Sequence, residues 1–575
     1  MIRFEQFKEV WTVDFEFVNR PGSGEKPVPV CCVAHELRSG RKVRLWQDQL
    51  NRPFADFRGS DALLVSYFAP AEIGCFLVLG WPVPRWVLDL YVEFRNLTNG
   101  LPTLAGNSLI GALAQFGLDS MDSSEKKEMR DLIQTGGPWS NEERRAILAY
   151  CEEDVNALDG LLPAILPSID FPRAMYRGWY TIAVAAVESY GVPINTWWLK
   201  RLRKHWKELK LRAITEIDKD FGVYEKGSFR IDRFVEYLNR NRYSWPLLKS
   251  GKPELTDKVF KEMARIIPTI APLRELRHMV SDMRLNELAV GKDGRNRYMV
   301  SPYGARTSRN TPSSKEYVFG PSVWIRNLIQ PPPGCSLAYM DFEQQEFAIG
   351  AVLSGDKKMI AAYDSGDAYL AFGKQIGAIP PDGTKQTHRA IRDMYKVAIL
   401  AVGYGMGVRA LAFRIGKPEI VARQFLQDYR EAYPVFWEWS ENVQNHAVLN
   451  GWQKTVFGWT KSLPWEEDCN PRSLKNFPAQ SNGAEILRLS VCLGIERKIR
   501  IVAQVHDAVM VEASNDRIKH DVEMMLSAMQ EASRVVLSGF PLRVESKIIR
   551  YRNHYSDPRG DVMWAKVRKI LRGLK

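Results

Sequence analysis

Residues 337–356 read LAYMDFEQQEFAIGAVLSGD, a short apolar run that delivers Asp341 to its end and then changes periodicity at once. Leu337, Ala338, Tyr339 and Met340 read as a buried strand, and Phe347, Ile349, Val352 and Leu353 recur at the spacing of an amphipathic helix. Glu343, Gln344 and Glu346 fall in the first turn of that helix and face whatever Asp341 binds. A strand-end Asp can equally serve as a helix N-cap. A second acid distinguishes the two: IVAQVHDAVMVEA, residues 501–513, reads as a tight hairpin with His506-Asp507 at its tip. Two Asp residues on neighbouring strands repel unless cations sit between them, and a pair of ions ~3.5–4 Å apart is the usual arrangement for phosphoryl transfer. Oxygen ligands of this kind suit magnesium, two ions per site, with manganese able to substitute.

Between these acids, Arg392, Lys396, Leu400 and Tyr404 recur at every fourth position, followed by Gly405. On a helix they share one face over about 18 Å, two cations first, then an aliphatic side chain, then a phenol. That order suits a triphosphate at one end and a base at the other; a solvated basic face turning apolar toward the core is the alternative. Downstream lies Arg472-SLK-Asn476-FPA-Gln480.

In order and spacing the three stretches resemble motifs A, B and C of the DNA polymerase I family, the family A DNA polymerases, and residues 472–480 are similar to that family's R-x-x-x-N-x-P-x-Q stretch. The resemblance implies a right-hand fold of palm, fingers and thumb and addition of dNTPs to a primer 3′ end. Asp341 and Asp507 would hold two Mg²⁺, and Lys396 would also give a proton to pyrophosphate. It implies nucleotide contacts at Arg392, Lys396, Leu400, Tyr404, Glu346, Gln344 and His506, with His506 also toward the primer–template. DNA contacts are implied at Arg306, Gly405, Arg472, Asn476 and Gln480. Glu346 would exclude a ribose 2′-hydroxyl. Two positions depart from the pattern: Ala508 stands where a Glu commonly follows the motif C Asp, and Leu400 where an aromatic residue is usual.

Composition agrees with a polyanionic partner. The chain has 575 residues, 45% hydrophobic and 26% charged, with a net charge of +13 and 17 Trp beside 80 Lys and Arg. Seven cysteines, at 31, 32, 75, 151, 335, 469 and 492, form no C-x-x-C pair, which argues against a zinc ribbon or a disulfide framework. The N-terminus MIRFEQFKEV has no apolar h-region, and no uncharged run reaches the ~20 residues that span a bilayer. A soluble, cytoplasmic monomer is expected, in a bacterial host if phage-encoded.

Near the start, VWTVDFEF, residues 10–17, alternates as a strand with Asp14 and Glu16 on one face, either a cation site or a solvent-facing edge. Tyr150 and Asp154 lie one turn apart on a helix read over 147–161. They resemble the third motif of DEDD-type 3′–5′ exonucleases of the Tyr subclass, an RNase H-like fold in which Tyr150 would orient water beside metals held by Asp14, Glu16, Asp154 and a fourth acid. For that acid the candidate is Glu72, where the family usually carries Asp; Asp89 resembles the next family acid. Because this motif begins so early, no 5′-nuclease region is expected, and the arrangement resembles phage or prophage enzymes.

The expected organisation is a multidomain α/β and α+β chain: 1–168 exonuclease, 169–330 thumb and approach to the palm, 331–356 palm, 357–450 fingers, 451–575 palm. A basic helix over 197–221 with Trp198 and Trp206, and Arg274, Arg277 and Arg284, suit phosphate contact or simply an exposed face. Arg306, in YGARTSRN, resembles a primer-end contact. Primer–template DNA and dNTPs are the implied partners, with a helicase, primase or processivity factor as further candidates. An exonuclease-impaired polymerase, a single-subunit RNA polymerase and a nuclease or DNA-binding protein with a decayed polymerase half are the rival readings; Glu346 and the N-terminal motifs weigh against the RNA polymerase.

Overall fold

Two β-sheets, one in each half of the chain, organise the acids singled out above, some on their strands and some on the helices and turn beside them. The computed structural model describes residues 2–574 apart from 21, 60, 120–122, 282–287, 314, 321–322 and 465–469. Arg284 and Cys469 lie outside the described residues.

The first sheet consists of β1 (Glu9–Val18), β2 (Val28–Glu36), β3 (Arg41–Trp46), β4 (Ala62–Ser66) and β5 (Val87–Asp89), in the order β3-β2-β1-β4-β5. β1 to β3 form an antiparallel meander, whereas β4 runs parallel to β1 and β5 parallel to β4. β1 is therefore the central strand, and the solvent-facing-edge alternative for Asp14 and Glu16 falls. Its other face is apolar: Trp11, Val13 and Phe15 are fully buried. Pairing between β1 and β4 ends at Thr12, so Asp14 and Glu16 lie beyond it, where the crevice of a parallel sheet opens.

Three helices border that crevice: α1 (Pro70–Leu79), α2 (Ser123–Gln134) and α3 (Asn141–Ile165). The chain turns into α1 because Asp89 accepts hydrogen bonds from the Phe68 and Ala69 amides, each 3.0 Å, and from Tyr91 N–H at 3.0 Å. Asp89 thus ties two helix starts together. α3 extends beyond the stretch read from periodicity, because Ser140 and Glu143 form a capping box upstream.

α4 (Phe171–Tyr190) lies just past the expected boundary and packs into both halves. Phe171, Ala174 and Met175 join the N-terminal core, Ala185 a second N-terminal cluster, and Tyr180, Ala183, Val184 and Val187 the large C-terminal core. Its closest approach is at Gly178, where a Cβ would lie 1.8 Å from the Val87 carbonyl oxygen. Arg177, one residue earlier, donates two hydrogen bonds of 2.6 Å to Glu93, with both side chains buried. The helix expected over 197–221 is in fact two, Thr196–Lys204 and Trp206–Ile217. The chain bends at His205 (ψ 13°), and Trp206 turns inward to stack on Trp324, centroids 6.3 Å apart.

The second sheet is antiparallel throughout: β6 (Cys335–Phe342), β7 (Ile501–Val505), β8 (Ala508–Ser514) and β9 (Val544–Arg550), in the order β7-β8-β6-β9. α5 (Gln345–Ser354) follows β6 directly, α6 (Arg389–Gly403) carries the basic face, α7 (Pro471–Glu496) runs beside α5, and α8 (Ile518–Val536) packs against α7 and the sheet. α5 is not amphipathic as expected: Phe347, Ala348, Ile349 and Ala351 are all buried, because α7 and helix Pro434–Asn450 both pack on it. Among the described residues, no helix is long and apolar enough to cross a membrane.

Candidate active site

Asp341 occupies the last turn of pleat in β6, opposite Ala508 on one neighbouring strand and Glu545 on the other. Val505 pairs with Ala508, so His506 and Asp507 form a two-residue turn, and His506 adopts the left-handed conformation (φ 55°) that closes it. The turn brings the Asp507 carboxyl within hydrogen-bonding reach of Asp341. Burial, then the charge of Asp507, pushes Asp341 up to about 7, while Lys396 acts in the opposite sense. Asp507 is raised as well, chiefly by burial. Asp341 Oδ1 is buried with no hydrogen-bond partner among the described residues. Two acids converge and one Asp341 oxygen is left unsatisfied, a donor set that fits a hard divalent cation.

The basic helix lies over these acids. Lys396 is exposed and its field reaches Asp341. Arg392 is buried: Nε donates to Asp367 and Nη1 to Asp393, both at 2.9 Å, with Tyr369 5.2 Å from the guanidinium. Leu400 is half-buried on the same helix. Tyr404 is its C-cap, beyond the last helical residue, and its hydroxyl donates to Glu346 Oε1 at 3.0 Å. The same oxygen accepts from Arg309 Nη2 at 2.8 Å.

Arg309 was not among the residues read from the sequence. Arg306, which was, is exposed, and its carbonyl accepts from Asn99 Nδ2 at 2.9 Å and Trp459 Nε1 at 3.3 Å. Gln344 directs its side chain to backbone, donating to the Gly366 carbonyl at 3.1 Å and accepting from Ala368 N–H at 2.9 Å, so it clamps α5 to the helices beyond. His506 is exposed at the tip of the turn, and the desolvation of its ring lowers its pKa. Gly405 (φ 73°) ends the run of α6 where a Cβ would meet Arg472 Cγ at 2.6 Å, and α7 then carries Asn476 and Gln480 one turn apart, both half-buried.

In the first sheet, ligand oxygens of Asp14, Glu16 and Asp154 lie within 4.8 Å of one another. Burial, then the charge of Asp154, pushes Asp14 up to about 7, and burial raises Glu16. The Cys151 thiol donates to Asp14 Oδ2 at 3.3 Å. Glu72 arrives from the first turn of α1, only 4% exposed; burial, then Asp14 and Glu16, raises it, and its Oε2 has no partner among the described residues. Tyr150 is buried one turn before Asp154 on α3. The sequence reading missed Lys126 of α2, which ion-pairs with Asp154. Glu125, Lys127 and Glu128 around it have the look of a solvated helix, which hides it.

Residues 303–552 match the family model described as DNA polymerase family A. Relatives include the DNA polymerase I of Chloroflexus aurantiacus, 22% identical over 395 residues, covering 62% of this chain and 41% of the relative. The thermostable DNA polymerase I of Thermus thermophilus is 25% identical over 236 residues, 38% of this chain and 27% of the relative. The DNA polymerase I of Aquifex aeolicus is 24% identical over 403 residues, 66% of this chain and 67% of the relative. The chain thus spans less than half the length of the first two. Among solved structures, the POL domain of Pol1 from M. smegmatis, in complex with DNA primer-template and dNTP, superposes with a TM-score of 0.72 at 16% identity, over 94% of this chain and 95% of that one, a likeness of fold. The matched stretch, residues 303–552, holds Asp341, the Arg392 helix and Asp507, and in that stretch the chain is similar to DNA polymerase family A.

Proposed function

We propose that the chain is a template-directed DNA polymerase that extends a primer 3′ end with dNTPs, and that its N-terminal carboxylates remove nucleotides from 3′ ends by hydrolysis. The observation that carries the polymerase reading is the convergence of Asp341 and Asp507 beneath Lys396. Two divalent ions bound there would lower the pKa of the primer hydroxyl and neutralise the leaving pyrophosphate. Asp341 and Asp507 hold the charge that fixes such ions. Lys396 neutralises the triphosphate and gives a proton to the leaving group. Arg392 joins it on leaving its ion pairs with Asp367 and Asp393. Glu346, fixed by Tyr404 and Arg309, packs where a ribose 2′-hydroxyl would stand. Arg306, Arg472, Asn476 and Gln480 contact primer–template.

In the N-terminal half, the parallel-sheet crevice and its four acids support the hydrolytic reading, with Tyr150 orienting water. A labelled primer–template incubated with Mg²⁺ tests both. The band should lengthen with dNTPs and shorten without them. Asp341→Asn or Asp507→Asn should cut extension on the order of 10²-fold or more while sparing shortening. Asp14→Ala should do the reverse. An Asp507→Asn chain that extends as well as the parent would sink the assignment.

A further inference from the structure

Helix α2 sends one lysine into the N-terminal carboxylate cluster. The Lys126 ammonium pairs with Asp154, its side chain is 8% exposed, and it lies 5.9 Å from the centroid of the Tyr150 ring. Lysine is rarely buried unless fixed negative charge offsets the lost hydration. Here that charge is Asp154 together with Asp14, whose carboxylate also feels Lys126. Arg130, one turn further along α2, acts on Asp14 too, but it is exposed, so of the two only Lys126 enters the cluster. The Oε2 of Glu72, on a side chain only 4% exposed and near enough to Asp14 and Glu16 to feel their charge, has no hydrogen-bond partner among the described residues.

Resting on the reading of this cluster as a cation site, we propose that Lys126 is its built-in counter-cation. Without metal, the ammonium fills a place beside Asp154 that a divalent ion takes when bound, and Lys126 must swing out with the first turn of α2 before the cluster can hold its full set of ions. Occupancy is then a competition between an ammonium held by the fold and ions from solution. In the palm, Lys396 is exposed and Arg309, whose charge reaches Asp507, is paired with Glu346; neither makes an ion pair with Asp341 or Asp507 among the described residues. The N-terminal site therefore demands more divalent ion than the palm, and hydrolysis is restrained when ions are scarce.

The test uses the full chain carrying Asp341→Asn and Asp507→Asn, so that Mn²⁺ titrated by calorimetry reports the N-terminal cluster. Adding Lys126→Met should tighten Mn²⁺ binding about tenfold, the equivalent of one pKa unit. Lys126→Arg, which keeps the charge, should bind no tighter than its parent. In the otherwise unchanged chain, acetylation of Lys126 followed by mass spectrometry should be slow without metal and faster with Mn²⁺. This second measurement decides the matter if the Met variant does not fold. Equal Mn²⁺ affinity with and without Lys126, or labelling of Lys126 that ignores Mn²⁺, overturns the proposal. Absence of any Mn²⁺ binding that Asp14→Ala abolishes would instead overturn the cation-site reading beneath it.

Discussion

Glu346 collects a phenol and a guanidinium on a single carboxylate oxygen, at 3.0 and 2.8 Å. A side chain fixed from two sides presents a hard wall, and the wall is the proposed basis of sugar selection. Glu346→Ala should raise ribonucleotide incorporation relative to deoxynucleotide about tenfold or more, since discrimination by a single steric contact is of that order. Tyr404→Phe should raise it less, because Arg309 still holds the carboxylate. Competing rNTP and dNTP primer extension measures both, and an unchanged ratio in Glu346→Ala removes the steric role. The residues legible in sequence were those whose position follows from a local pattern. Asp341 and Asp507 each end a strand, so the register of a hairpin is enough to bring them together. Lys126 and Arg309 were not legible: the first is buried only because α2 docks on β1, and the second meets Glu346 through a loop with no periodicity. The missing acid at Ala508 was visible, but Glu545, which pairs with Asp341 from β9 and raises it, required the pairing of strands about 200 residues apart to be known.

At the scale of elements, close packing sets the tolerances. The backbone of α4 touches β5 at Gly178, and a methyl there would meet the Val87 carbonyl oxygen at 1.8 Å. Gly178→Ala should destabilise the fold by ~1–3 kcal/mol or more, because helix or strand must give way. A lowered midpoint in urea denaturation would show it; an unchanged one would mean that the two elements part without cost. The strands read at 10–17 and 501–513 and the helices read at 147–161 and from 392 rest on periods of 2 and 3.6, which are local properties. Ends and breaks do not. The bend at His205 depends on Trp206 finding Trp324 more than a hundred residues away, and the buried character of α5 depends on helices that arrive later in the chain.

At the scale of the whole molecule, acidity links the halves. Glu188, on α4, accepts the Val300 N–H at 2.5 Å beside a cavity of ≈ 160 Å³ lined by residues of both halves, among them Arg20, Ala71 and Tyr298. Burial pushes its carboxyl up to about 8 from an ordinary 4.5. The folded state therefore keeps a proton that the unfolded chain has released, so this contribution to stability is fully present below about pH 4.5 and is lost as pH rises to about 8. Glu188→Gln should flatten that decline: between about pH 5 and about pH 9 the variant's unfolding midpoint should fall less than the parent's. Parallel slopes would show that Glu188 does not contribute to it. The expected division after residue 168 leaves out the joint ownership of α4, since a helix pattern shows which face is apolar and not how many cores it enters. Joint ownership has an evolutionary price. A recombination whose breakpoint fell between the halves would hand each daughter an incomplete interior, so the two activities proposed for this chain are inherited together or require an exchange that carries residues through 190.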